Sequence, residues 1–354
     1  MSTWPTEVAL LRDLVAIPSI SGDELAASQY VEEWARAGGL DVVRDETSVR
    51  VSVGDGSIGP TLALATHLDV VPPGEGWTRD PFTPTIEGDL LFGRGAGDAK
   101  ASVAAMLAAI ADLQGEALTG RVLGLFTYGE ETRQATMPDA IVRAGRLDAA
   151  LVGEPTNLEP AIAQRGLMMV DLVAHGTQRH AGYATGEGFE NAVTALAREI
   201  MKLEGLLADR VHPILGATIV TPTMLEAGVS RNVTPPTARA VLDIRSTPVW
   251  PHDQLAAALS ERLSCEVVVT SSRLVPCETP ADSRLQQAVM AAAPNATPYG
   301  SPTCSDWCYL RALDAVKLGP GTSRRSHTPD ESVNLSEVSA ARLLYAAIAR
   351  NYLA

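Results

Sequence analysis

Two kinds of apolar spacing alternate through the first half of the chain. Residues 61–66 (TLALAT), 121–128 (RVLGLFTY) and 148–152 (DAALV) are short, nearly unbroken apolar runs bounded by turn or polar residues. That is the pattern of strands buried on both faces. Between them lie segments with helical periodicity: 10–17, 23–37 with Asp23 and Glu24 in its first turn, and 101–113 (ASVAAMLAAIADL). The last is Ala-rich and apolar on most sides, which predicts a helix packed against a sheet. Buried strands alternating with helices predict an α/β fold with a mostly parallel sheet.

Beyond residue 166 the texture changes. Residues 167–174 (LMMVDLVA) and 238–245 (ARAVLDIR) interrupt apolar positions with polar ones, as half-exposed antiparallel strands do. Residues 192–207 have helical spacing, and 264–270 (SCEVVVT) resemble a further strand. Together they predict a smaller α+β domain. The buried-strand pattern returns at 314–318 (DAVKL), and 335–352 closes the chain with a long helix. The expected organisation is a discontinuous catalytic domain over 1–166 and 275–354, with a smaller domain inserted at 167–274.

Length and composition narrow the function. A chain of 354 residues suits two domains of ordinary size. Its 28 Lys and Arg against 42 Asp and Glu give a net charge of −14, which repels phosphate backbones and anionic lipid. Neither nucleic acid nor a membrane is an expected partner. A cationic or zwitterionic small molecule suits that charge better. Acidic Glu7 and Asp13 interrupt the apolar N-terminal segment, unlike a signal peptide, and no run of eighteen apolar residues occurs. Four sparse cysteines, Cys265, Cys277, Cys304 and Cys308, are no disulfide framework. A soluble, cytoplasmic location is expected.

Chemistry gathers at the ends of the predicted strands. His67 and Asp69 follow TLALAT, Glu130 and Glu131 follow RVLGLFTYG, and Glu154 follows DAALVG. His327 lies in the loop after DAVKL, and Asp98 ends the connector GRGAGD before the Ala-rich helix. In open α/β sheets, ligands collect at the carboxyl ends of the strands. Carboxylates crowded in a low-dielectric cleft repel one another, and no run of Lys or Arg accompanies these to neutralise them. A pair of divalent cations would, and Zn2+ accepts both imidazole and carboxylate ligands. Two such ions can share a bridging carboxylate and a water whose pKa falls to about 7. One member of the Glu130–Glu131 pair is placed to take that water's proton, and Asp69 to orient the imidazole of His67.

Five segments carry a family resemblance: HLD at 67–69, GRGAGDAK at 93–100, Glu130–Glu131, GEPT at 153–156, and GPGTSRRSHTPDE at 319–331. In this order they resemble the co-catalytic zinc family of acetylornithine deacetylase. That family also holds succinyl-diaminopimelate desuccinylase, lysine-biosynthesis carrier-protein hydrolases, and related aminoacylases and peptidases. The resemblance spans nearly the whole chain, including the inserted segment as a lid and dimerisation domain. It implies two Zn2+ per chain, with Co2+ or Mn2+ able to substitute, and Asp98 as the bridging ligand. His67 and Glu154 would complete one site, Glu131 and His327 the other. Glu130 would be the general base and Asp69 the support of His67. It also implies a homodimer in which His180 of HGTQRHA stabilises an oxyanion across the subunit boundary. Arg165, Asn232, Arg245, Gly319 and Gly321 resemble substrate-clamping positions. The chain departs from the family pattern at bulky Arg179, at Ala101 after Lys100, and in Thr132-Arg133-Gln134, which lacks a glycine.

Plainer readings stand beside these. His180 alone could be a surface histidine, and His175, His212 and His252 have no partner pattern. The connector has spacing near that of a dinucleotide loop, but Asp98 replaces its third glycine and would repel a pyrophosphate. Cys304 and Cys308, four apart, suggest packing, and the Asn232 sequon has no role in a cytoplasmic chain. The expected activity is removal of an N-acyl group from an amino acid, N-acetyl-L-ornithine first and acyl- or carrier-linked lysine next, in arginine or lysine biosynthesis. Asp306 is a candidate partner for the substrate's side-chain ammonium. The alternatives are a di- or aminopeptidase on the same centre, or a non-catalytic binding homologue.

Overall fold

The apolar runs become neighbouring strands. In the computed structural model, which describes residues 4–132 and 134–354, Arg121–Thr127, Thr61–His67, Ala149–Val152 and Asp314–Lys317 lie side by side and parallel. All seven residues of Thr61–His67 are buried, which is why that strand shows no apolar alternation. A hairpin of Asp41–Arg44 and Ser48–Gly54 continues the sheet antiparallel beyond Arg121–Thr127. The fold is therefore α/β with a mixed sheet, parallel at its centre and antiparallel at its margins. Helix Lys100–Asp112 is buried from Lys100 through Ile110 and packs against Thr6–Val15 and Leu335–Leu353.

The chain forms two compact units. One holds the described residues through Ile162 with Thr279–Tyr299 and Ser305–Ala354; the other holds Ala163–Glu278 with Gly300–Cys304. The second is built on an antiparallel sheet in the order Ile219–Ala227, Thr237–Ser246, Gly166–His175, Glu266–Leu274. Thr237–Ser246 alternates buried and half-exposed residues along its length, as a sheet with one covered face requires. Helices Ala192–Met201 and His252–Arg262 pack against this sheet, enclosing Met168, Val170, Leu172, Leu242, Ile244 and Trp250. The first of these helices is shorter than its periodicity predicts. The chain turns at Gly205 (φ +73), yet Leu203 and Leu207 remain buried, so the same apolar spacing serves a turn. Strand Ile219–Ala227 has no legible alternation. It is an edge strand exposed almost throughout, with Pro222 beside a bulge.

Candidate metal centre

The parallel strands deliver one ligand set to their common carboxyl end. His67 closes Thr61–His67, Glu130 and Glu131 follow Arg121–Thr127, and Glu154 follows Ala149–Val152. His327 comes from the loop after Asp314–Lys317 and Asp98 from just before helix Lys100–Asp112. The connector to that helix must turn tightly. Gly95 has φ +81, and a Cβ there would lie 2.5 Å from a methyl of Val70.

Among the described residues, three groups have ligand atoms all within 4.8 Å of one another: His67, Asp98 and Glu154; Asp98, Glu131 and His327; and His67, Glu130 and Glu131. Asp98 joins the first two. Its Oδ1 is 3.4 Å from Nε2 of His67 and its Oδ2 is 3.7 Å from Nε2 of His327. Nε2 of His67 also lies 4.0 Å from Oε1 of Glu154, and Nε2 of His327 lies 2.8 Å from Oε1 of Glu131. His327 itself has φ +63, a left-handed backbone that a non-glycine residue adopts where its surroundings hold it.

Asp69 is fully buried behind this layer and organises it. Its Oδ1 accepts the amide of Glu130 at 3.0 Å, and its Oδ2 accepts the amide of Glu131 at 3.1 Å and the hydroxyl of Ser21 at 2.7 Å. Nδ1 of His67 is 3.0 Å from the Asp69 carbonyl and 3.4 Å from its Oδ1. One aspartate thus fixes the ring of His67 and the backbone that carries the glutamate pair. Burial pushes the Asp69 carboxyl up, but His67, Ser21 and the Glu131 amide outweigh it and hold it at about 2.

Burial also pushes the Asp98 carboxyl up, but His67 and His327 outweigh it and hold it below its ordinary value. Three further carboxyls show the cost of crowding. Burial, with Asp98 and Glu131 adding repulsion, raises Glu154 to about 8. Burial raises Glu130 well above the usual range, with Glu154, Asp306 and Glu131 adding to it. Burial, reinforced by Asp69, raises Asp306 to about 7. His67 is displaced upward despite its burial, because Asp69, Asp98 and Glu130 stabilise its cation. His327 is raised chiefly by its bond to Glu131. At Glu130, Glu154 and Asp306, protonation relieves that repulsion.

These features fit a pair of divalent ions. Nε2 of His67 is buried without a hydrogen-bond partner among the described residues, and it faces two carboxylates. A lone pair in that setting suits a metal, with Nδ1 already committed to Asp69. The mixed imidazole and carboxylate donors suit zinc-like ions in two sites sharing Asp98.

The remaining sequence-predicted residues have other surroundings. Gly319 sits against the Glu154 segment, where a Cβ would be 2.5 Å from the Glu154 carbonyl oxygen. Gly321 donates its amide to Glu337 at 2.8 Å. In the second unit, the Arg165 guanidinium donates to the carbonyls of Ala217, Arg245 and Leu215. Arg245 is forked onto Asp243 at 2.8 and 3.1 Å. Asn232 accepts from Ser230 at 3.1 Å, and Nδ1 of exposed His180 accepts the amide of Gly182 at 3.1 Å. His252 is held by Ser246 and Ser272, and His175 pairs with Glu266. Cys308 packs in the short helix Trp307–Leu310, whereas Cys304 lies before it. Arg133 of the glycine-lacking stretch lies outside the described residues.

Three more residues belong to the centre. Asp306 is 3% exposed and accepts from Thr127 at 3.2 Å, so it belongs to the buried layer of carboxyls. Arg94 and Glu331 form a buried ion pair at 2.6 Å beneath Asp98. The available signal was Arg94 itself, a large cation between the glycines of a connector whose other charged residue is Asp98.

Known proteins extend this picture. The model of Peptidase family M20/M25/M40 matches residues 63–351. A succinyl-diaminopimelate desuccinylase of Methylobacterium sp. is 34% identical over 286 residues, covering 74% of this chain and 72% of that protein. An acetylornithine deacetylase of Klebsiella pneumoniae is 30% identical, covering 98% of both. A dinuclear metal-binding M20 peptidase of Bacillus subtilis shares the fold with a TM-score of 0.76 at 17% identity, covering 98% of this chain and 97% of that one. No helix among the described residues is long and apolar enough to cross a membrane. With its strand-end ligand cluster intact and most of its length matched, this chain belongs to Peptidase family M20/M25/M40 and is a metal-dependent hydrolase acting on amides.

Proposed function

We propose that the protein is a di-zinc deacylase that removes the N-acyl group of a basic or zwitterionic amino acid, with N-acetyl-L-ornithine the leading substrate. The observation that carries this reading is the position of Asp98 between two histidine-carboxylate groups. His67, Asp98 and Glu154 would hold one ion, and Asp98, Glu131 and His327 the other. When bound, two zinc ions, or Co2+ or Mn2+ in their place, supply polarisation of the scissile carbonyl and a water acidified toward neutrality. Glu130 takes the proton of the attacking water and returns it to the leaving amine. Asp69 holds the Glu130 amide, fixing the backbone from which that side chain extends. The relatives named for deacetylation and desuccinylation, together with a net charge of −14, support an acyl amino acid with a cationic group.

His180 is the proposed oxyanion donor, acting across a homodimer. Its Nδ1 accepts from the Gly182 amide, so the neutral ring carries its proton on Nε2 as a donor. The long exposed edge strand Ile219–Ala227 supports self-association, since an unpaired edge invites a second strand. Arg165, Asn232, Arg245, Gly319 and Gly321 are the proposed substrate-clamping positions, Arg165 and Gly319 acting through the backbone they hold.

The test is release of primary amine from N-acetyl-L-ornithine by zinc-loaded protein, with Glu130→Ala in parallel. Activity is expected in the intact protein, with a loss of about 10²–10⁴-fold in the variant. If the intact protein leaves that substrate untouched, the assignment falls. N-succinyl amino acids, acyl-lysines and dipeptides in the same assay then separate desuccinylase, lysine deacylase and peptidase.

A further inference from the structure

We propose that Arg94 and Glu331 are positioning residues that hold Asp98 and the His327 loop in register, so that the second metal position can form. The inference rests on the two-metal reading above. Glu331 is 1% exposed, and its carboxylate points at the backbone of the connector. Oε1 accepts the amides of Gly97 at 2.9 Å and Asp98 at 3.0 Å, while Oε2 takes Nη1 of Arg94 at 2.6 Å. Both oxygens are committed, so Glu331 is no ligand; it orients the residue whose carboxylate is shared. The Glu331 carbonyl accepts the Gly93 amide at 2.9 Å, and Ser332 pairs with Phe92. Connector and loop are thus joined on both sides of the ion pair.

Arg94 brings in a third segment. Its Nη2 donates to the Pro73 carbonyl at 3.1 Å, its guanidinium lies 5.1 Å from the centre of the Trp77 ring, and its amide donates to Pro81 at 2.8 Å. Asp330, next to Glu331, accepts the amide and hydroxyl of Thr78 at 3.1 and 2.8 Å. The segment around 73–81, the connector and the loop four residues past His327 therefore meet at one pair of charges. His327 needs such a hold: its side chain is half exposed and its backbone is left-handed. A buried ion pair is often replaceable by apolar residues with no loss of stability, so its use under a bridging ligand points to geometry. Groups behind ligands typically set metal affinity by 10–100-fold.

The experiment uses the full chain stripped of metal and titrated with Zn2+ against a chromophoric chelator, with Co2+ absorption as a second readout. Arg94→Met and Glu331→Gln are compared with wild type and with the conservative Arg94→Lys. Wild type is expected to bind two ions. In Arg94→Met and Glu331→Gln the first ion should bind within threefold of wild type and the second at least tenfold more weakly. Excess zinc should restore kcat, KM should change little, and Arg94→Lys should recover part of the lost affinity. Two ions bound as in wild type by both variants would overturn the inference alone. So would equal loss of both ions with a lowered melting temperature of the metal-free variants, which marks a merely structural pair. Fewer than two ions in wild type would overturn the two-metal reading, and this inference with it.

Discussion

Strand Thr61–His67 and strand Ile219–Ala227 are both strongly apolar, and they have opposite surroundings. The first is buried along its whole length, and its end is fixed by Asp69, Ser21 and the glutamate pair. The second is exposed at nearly every position, including Met224 and Leu225. In the first unit, buried polar groups satisfy one another or face the candidate metal positions; in the second, an edge strand leaves apolar side chains exposed. Enclosed polar atoms line the candidate metal centre, and exposed apolar ones line the edge strand.

The largest expected effect that sharpens this contrast is Asp69→Asn. The amide keeps the shape but places an NH2 against a backbone amide that needs an acceptor, so the Glu130–Glu131 segment must shift. Steady-state assays at saturating zinc should show kcat/KM lower by about 10–100-fold. Unchanged kinetics would mean that Asp69 does not organise the layer. A smaller effect is expected from Leu225→Lys on the exposed edge. Melting should move by no more than about 0.5 kcal/mol in stability, as for a surface site, while sedimentation should show weakened self-association. A large loss of folding stability in a monomeric protein would erase the distinction between the two strands.

Much of the first unit was legible because burial on both faces leaves a plain signature, an apolar run followed by a ligand. His67, Glu130, Glu131 and Glu154 follow such runs closely and His327 through a loop, and the structure brings them together with Asp98. Arg94 and Glu331 were not legible, since their partnership joins positions 237 residues apart and the strands beside them, Leu90–Phe92 and Ser332–Asn334, have only three residues each. Asp306 suggested a partner for the substrate's ammonium, but its burial depends on how helix Trp307–Leu310 packs, which no local spacing reveals. The hairpin Asp41–Gly54 and the helices Met137–Ala144 and Arg284–Ala292 were missed because short elements carry too few periods to read. Edge strand Ile219–Ala227 was missed because solvent exposure imposes no alternation.

Glu130, Glu154 and Asp306, with the imidazoles of His67 and His327, hold their protons more tightly than free groups do, and bound cations would compete with those protons. Glu154, at about 8, and Glu130, Asp306, His67 and His327 all have folded values above their ordinary ones. Each therefore contributes stability that is complete below its unfolded pKa and lost as pH rises through its folded one. The most direct measurement is the melting temperature of the chelator-stripped protein from pH 5 to 8.5, with and without added zinc. The metal-free protein should melt progressively lower as pH rises toward about 8, and zinc should restore it by an amount that grows with pH. A flat metal-free profile, with no zinc effect at the alkaline end, would mean that protons and metal do not compete for these groups.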